Sequence, residues 1–337
     1  MKVYEVQQGS TSIDGLRQGE RPDPQPGPRE VLIRVRATSL NYRDYMITLG
    51  RYVGGSVSRN TIPLSDGAGE VVATGPGVTR FKPGDRVAGT FLQVWIDGPP
   101  RWPRAPALGV PLDGMLAEYV VLHEDGVVAI PQNLSFEEAA TLPCAGVTAW
   151  NALMATPPRV KPGDTVLCLG TGGVSVLAMQ LAQAAGARVI VTSSSDEKLQ
   201  RIGKLGAFAG INYKSHPDWE REVLRLTGGR GVEHVIEIGG LGTLSRSFEA
   251  IAPGGKVALI GFLAGGGEIV PFPLMMKGGA LQGIGVGSTA MFEDMNRAIE
   301  ANRIQPVIDR VFPFAEAPAA LRQLASRDFV GKLVITV

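Results

Sequence analysis

The chain has 337 residues, enough for about two domains at roughly 150 residues each. Lys+Arg is 33 and Asp+Glu is 32, a net formal charge of +1, which excludes a globally basic nucleic-acid-binding surface. Charged residues at 19% and hydrophobic residues at 44% exclude a disordered or coiled-coil chain, and two cysteines exclude a disulfide framework or a Cys-rich zinc site.

The first 130 residues read as mainly β. Residues 30–37 (EVLIRVRA) alternate apolar and polar side chains, as a half-buried strand does. Residues 70–74, 86–89 and 117–122 form further strands, divided by turn chemistry at 75–77 (GPG) and 82–85 (KPGD). Segment 96–113 carries Pro99, Pro100, Pro103, Pro106 and Pro111 and cannot be regular structure. The pattern is that of a small antiparallel barrel or bent sheet.

Beyond residue 130 the texture changes. Ser135 and Glu138 make a capping box that opens a helix. Strands at 165–169, 188–192, around Ile211, 234–238, 256–260 and 280–286 then alternate with helices at 174–185, 196–205, 218–226 and 243–251. That alternation implies a doubly wound parallel sheet. A tail with a helix at 291–301, a strand near Val307, a helix at 315–325 and a strand at 332–337 is expected to return to the first domain. The expected division is therefore 1–123 with 288–337, and 124–287. The uncharged run 165–187 reads as strand plus helix rather than a membrane span, because it contains four glycines and changes period midway. With no apolar N-terminal segment, the expected compartment is the cytoplasm.

The segment VLCLGTGGVSVLAMQLAQAAGA is a buried strand, a glycine turn and an apolar-faced helix. Gly170, Gly172 and Ser175 occupy the three positions of G-x-G-x-x-G/A. The first allows a tight turn, the second lets backbone N–H groups approach a pyrophosphate at the helix N-terminus, and the third keeps helix and strand close. Gly170, Thr171, Gly172, Gly173 and Val174 are thus expected to bind a dinucleotide. The next strand ends at Ser193, Ser194 and Ser195, where an NAD site would place an acid on the ribose 2′-OH. Ser193, Ser194 and Lys198 instead favour a 2′-phosphate, hence NADP(H), with Tyr213 covering the adenine ribose and Asp196 as the adverse charge. Loops beyond the other parallel strands add Gly239, Gly261, Phe262, Leu263 and Val286.

The stretches SLNYRDY (39–45), SDGAGEVVATGPGVTRFKPGDRV (65–87), GMLAEYVVL (114–122), LPCAGVTAWNAL (142–153), VKPGDTVLCLGTGGVSVLAMQLA (160–182) and GKLVI (331–335) resemble the medium-chain dehydrogenase/reductase superfamily over essentially the whole chain. The resemblance implies a GroES-like, mainly β catalytic domain and a Rossmann cofactor domain. Zinc-dependent members carry a Cys, a His and a later Cys at the catalytic metal; here those positions hold Asn41, Ser65 and Cys144. One thiol does not make a zinc site, which needs three protein ligands plus water. No metal is expected, and Cys144 is read as a packing residue.

The zinc-free branch, with its quinone oxidoreductases and enoyl thioester reductases, is matched by Asn41, Asp44, Tyr52 and, near the nicotinamide, Thr148. Without a Lewis acid, hydride removal from a simple alcohol lacks a stabiliser for the alkoxide. A quinone or α,β-unsaturated carbonyl spreads the incoming charge itself. The expected activity is hydride transfer from NADPH to such an acceptor, with Tyr52 and Asn41 as catalytic candidates and Tyr42, Arg43 and Tyr45 behind them. A metal-free alcohol dehydrogenase and a non-catalytic NADPH-binding protein are the alternatives. No histidine is assigned to catalysis; His216 and His234 read as exposed or helix-adjacent. Phe262, Phe272, Met275 and Met276 form an apolar stretch that reads as core or dimer packing, with lining of the substrate pocket as the alternative. The apolar strand 280–286, last in the sheet order, implies a homodimer. No nucleic-acid or membrane partner is expected.

Overall fold

The computed structural model describes residues 1–100 and 106–337; Pro103 of the proline-rich segment lies outside the described residues. The chain divides into two units, Met1–Val147 with Gly287–Val337, and Thr148–Val286. His123, where the sequence reading drew its boundary, lies inside the first unit.

The first unit opens with the antiparallel pair β1 (Lys2–Val6) and β2 (Leu16–Glu20). There follow β3 (Glu30–Ser39), α1 (Tyr42–Thr48), β4 (Asp66–Thr74), β5 (Arg86–Gly89), β6 (Tyr119–His123), β7 (Val127–Ala129) and the short α2 (Phe136–Ala139). The alternation in β3 has its expected consequence: Val31, Ile33 and Val35 are buried, while Arg34 between them is exposed. Ser135 caps α2 by accepting the Glu138 N–H, and the Glu138 carboxylate accepts the Ser135 N–H. One more short helix, α3 (Val147–Trp150), within a run of wider π turns, carries the chain from the first unit into the second.

The second unit holds β8 (Thr165–Leu169), α4 (Gly173–Ala184), β9 (Arg188–Ser193), α5 (Asp196–Lys204), β10 (Ala209–Asn212), α6 (Trp219–Leu226), β11 (Val232–Glu237), α7 (Leu244–Ala250), β12 (Ile251–Leu259), α8 (Phe272–Met276) and β13 (Ala280–Gly283). Its sheet has the order β10-β9-β8-β11-β12-β13 and is parallel throughout. Every residue of β8 is buried, as a central parallel strand covered on both faces must be. The uncharged run 165–187 resolves into β8 and α4, and among the described residues no helix is long and apolar enough to cross a membrane.

The tail, α9 (Thr289–Asn302), β14 (Ile308–Pro313), α10 (Ala317–Ser326) and β15 (Lys332–Thr336), belongs to the first unit. There β14 and β15 complete a seven-stranded sheet ordered β14-β15-β3-β4-β5-β7, with β6 also on β3. Ser39, at the end of β3, faces Val334 of β15 on one side and Asp66 of β4 on the other. Residues near 40, 66 and 332 thereby meet.

One expectation needs correction. His234 is not exposed: it is 2% exposed within β11, the strand expected there, with its Nε2 3.3 Å from an Asp164 carboxylate oxygen. For Phe262, Phe272, Met275 and Met276 only the core alternative is ruled out: all four are exposed in the single chain. Phe262 lies in the loop after β12, and the other three lie on the short α8 that precedes β13.

Candidate active site

The glycine turn is built as its sequence demands. Gly170 has φ +74°, a conformation that L side chains rarely adopt. Its N–H donates to Thr192 Oγ1 at 3.2 Å, tying the turn to β9. Gly172, by contrast, has ordinary extended backbone, and a Cβ placed there would meet nothing within 4 Å. The empty space lies at the N-terminus of α4, where unpaired backbone N–H groups and the helix dipole favour an anion. Ser175 Oγ donates to the Leu169 carbonyl at 2.6 Å and binds helix to strand.

Apart from Thr148, on α3, the remaining second-unit candidates follow the carboxyl ends of the parallel strands. Ser193 is buried and its Oγ accepts the Ser195 N–H at 3.3 Å. Ser195 caps α5 by accepting the Lys198 N–H and also donates to Glu197 at 2.5 Å. Asp196 accepts from the Asn212 amide at 2.8 Å. Ser194 and Lys198 are half-buried, and Tyr213, whose N–H donates to the Ser193 carbonyl, is exposed. The loops after β11 and β12 are zipped together: Leu263 N–H donates to the Ile238 carbonyl and Ala264 N–H to the Gly239 carbonyl. Thr148 is buried. Val286 holds φ +65°, a strained choice for a β-branched residue, while its carbonyl accepts the Asn151 amide at 2.6 Å.

The sequence reading missed what fixes the β11 loop. Glu237 is fully buried and accepts the N–H groups of Gly239 (2.7 Å) and Gly240 (3.0 Å) and the Thr243 hydroxyl (2.6 Å); Ser247 donates to its other oxygen. A Cβ on Gly239 would lie 2.2 Å from Thr243 Oγ1, so only glycine fits. An acid three residues before Gly240 at a strand end is the one sequence signal that could have marked it.

In the first unit Asn41 opens α1. Its N–H donates to the Asp44 carboxylate at 2.8 Å. Burial pushes the Asp44 carboxyl up to about 6, against the opposing pull of Arg43. Arg43 is itself buried, donates to the carbonyls of Leu108 (2.9 Å) and Val110 (3.2 Å), and lies over the rings of Tyr52 and Phe91. Tyr42 pairs with Arg327, which donates to its hydroxyl at 3.1 Å, and tilts against Tyr45. Lys332, also missed from the sequence, donates to the Leu40 carbonyl and to Asn41 Oδ1, both at 2.6 Å, and stands 3.7 Å from Asp66.

A family model for the alcohol dehydrogenase GroES-like domain matches residues 27–132, and one for zinc-binding dehydrogenases matches residues 173–301. A zinc-type alcohol dehydrogenase-like protein of Schizosaccharomyces pombe is 44% identical across 99% of both chains. A quinone oxidoreductase of Pseudomonas aeruginosa is 34% identical across 92% of each. Among solved structures, an NAD-dependent alcohol dehydrogenase superposes with TM-score 0.91 at 35% identity over 100% of both chains. A crotonyl-CoA carboxylase/reductase in complex with NADP superposes with TM-score 0.90 at 25% identity, over 100% of this chain and 94% of the other. The chain belongs to the medium-chain dehydrogenase/reductase superfamily of oxidoreductases, with its GroES-like and Rossmann-type domains.

The residues at the zinc-ligand positions do not fit zinc. Asn41 offers its oxygen to an ammonium. The Ser65 hydroxyl donates to Asp66 at 2.7 Å. Burial, aided by Asp66, pushes the Cys144 thiol up to about 12, so it is no thiolate at neutral pH. A divalent cation would also face the charge of Lys332. Among the described residues no group of three or more His, Cys, Asp or Glu could hold a metal ion.

Proposed function

We propose that this oxidoreductase transfers hydride from NADPH, without zinc, to a quinone or an α,β-unsaturated carbonyl. The observation that carries the reading is the Lys332 ammonium on Asn41 Oδ1, which puts a fixed cation and an amide where a metal would need ligands. The open space at Gly172, beneath the α4 N-terminus, supports a bound pyrophosphate. The serine-rich end of β9, with Lys198 beside it, supports a 2′-phosphate; Asp196 is held by Asn212.

The cofactor, when bound, would supply a hydride equivalent, one proton with two electrons. As the hydride adds to the β-carbon of a conjugated acceptor, the C=C π pair shifts and the carbonyl oxygen takes the negative charge. Asn41 donates a hydrogen bond to that oxygen. The proton that completes the reduction comes from the Tyr52 hydroxyl or from water. Arg43, stacked on Tyr52 and anchored by two carbonyls, fixes the ring. An unactivated alcohol lacks this delocalised charge and is a poor partner.

The working enzyme is read as a homodimer paired through β13. All four residues of that edge strand are exposed, Leu281 to 42%, and Phe272, Met275 and Met276 on the preceding α8 expose 60%, 66% and 66% of their surfaces. An edge with that much apolar surface favours a second copy of the same strand. The test of the activity is a panel of quinones, enones and enoyl thioesters with NADPH, set against simple alcohols with NADP⁺. Turnover confined to the conjugated acceptors is expected; turnover confined to alcohols overturns the reading.

A further inference from the structure

Lys332 lies at the start of β15 and is 3% exposed, and β15 runs beside the end of β3. Its ammonium carries donors only. The two groups it touches are the Leu40 carbonyl and the Asn41 side-chain oxygen. The amide of Asn41 must therefore turn its oxygen to Lys332, which leaves Nδ2 facing away. Nδ2 is buried and has no hydrogen-bond partner among the described residues. The ammonium is steadied from its other side by Asp66, itself held by the Ser65 hydroxyl, the Ser39 hydroxyl and the Cys144 N–H at 2.7, 3.4 and 3.2 Å. A buried amide N–H without an acceptor is costly, and such a group calls for a ligand that supplies the acceptor.

We propose that Lys332 is a positioning residue that locks the Asn41 amide so that Nδ2 is presented to the carbonyl oxygen of the hydride acceptor. The proposal rests on the reductase reading above and names what orients its oxygen-binding donor. Lys332 touches no reacting atom; it acts only through Asn41. Arginine, another donor-only head group, preserves the lock. Glutamine releases it, because its own carbonyl can accept from Nδ2 and let the amide turn over.

The test compares K332R, K332Q, K332M, N41A and the N41A/K332M double variant, with kcat and KM for a conjugated enone, NADPH binding by fluorescence, and the Asn41 side-chain amide resonances by ¹⁵N NMR, assigned by their loss in N41A. N41A and K332M are each expected to lower kcat by about tenfold or more, the scale set by loss of one donor to a developing oxyanion, with NADPH affinity unchanged. The double variant is expected to be no worse than N41A, since one residue acts through the other. K332R keeps most of kcat, and K332Q does not. The Asn41 amide pair shifts in K332Q and stays put in K332R, a readout that needs no turnover and remains if K332M fails to fold. Losses that multiply in the double variant, or an amide pair unmoved in K332Q, overturn the proposal. A wild-type enzyme that reduces no conjugated acceptor, with the amide pair behaving as expected, overturns the reductase reading while supporting the lock.

Discussion

The Glu124 carboxylate accepts the backbone N–H of Thr79 at 2.8 Å, and the same oxygen accepts that of Arg80 at 2.9 Å. Its other oxygen accepts Arg29 Nε at 2.9 Å, and the side chain has no exposed surface. One acid thus joins the turn after β4 and the turn before β3 to the end of β6.

These donors, the Thr79 N–H first, hold the Glu124 carboxyl down at about 2, against an ordinary value of 4.5. As pH falls, the unfolded chain takes up this proton before the folded one. The stabilisation is fully present above about pH 4.5 and is lost as pH drops toward 2. Glu124→Gln should therefore be clearly less stable than wild type at pH 7, with the gap closing between pH 4.5 and the acid limit. Urea unfolding of both proteins across that range checks it; a gap independent of pH contradicts it.

Gly170 and Gly172 make opposite demands. In Gly172→Val the Cβ meets no atom within 4 Å and the backbone is ordinary, so the effect on stability should stay within about 0.5 kcal/mol, as for a surface change. The same side chain fills the space assigned to the pyrophosphate, so NADPH affinity should fall at least about tenfold, roughly 1.4 kcal/mol. Thermal melts and fluorescence titration separate the two effects. Undiminished NADPH affinity in this variant would remove the phosphate from the turn.

Tyr52→Phe keeps the ring that Arg43 covers and removes only the hydroxyl. Turnover with an enone should fall at least about tenfold, the low end for a lost proton donor, with NADPH affinity held. Wild-type turnover would leave Tyr52 as packing for Arg43 and assign the proton to water.

Leu281→Arg changes a side chain that is 42% exposed in the single chain, so the fold should be indifferent to it. If β13 pairs with a second copy, the substitution places two like charges across the seam. Sedimentation at micromolar concentration should show a dimer for wild type and a monomer for the variant. A wild-type monomer, or a dimer undisturbed by Leu281→Arg, contradicts the edge assignment.

Much of the fold was legible because its signals are local. The alternation in residues 30–37 and the apolar run 166–169 announce β3 and β8, and the capping box at Ser135 marks the start of α2. The pair β1 and β2 escaped, since LRQGE carries little apolar character and its strand exists only through pairing with Lys2–Val6. The candidate site divides the same way. Gly170 and Gly172 declare themselves through spacing. Lys332 does not: a lysine in GKLVI reads as a solvated strand start, and only the return of β15 beside β3 buries it 291 positions from Asn41. Ser193 is named by the length of its strand, but its burial and the use of its hydroxyl by the Ser195 N–H are seen only in the folded chain.

The most direct measurement takes the purified enzyme through chelator dialysis, then reads bound zinc and NADPH oxidation with a conjugated enone on the same sample. The account predicts no stoichiometric zinc before dialysis and the same kcat after it. Stoichiometric zinc whose removal abolishes turnover, with recovery on adding zinc back, would contradict it.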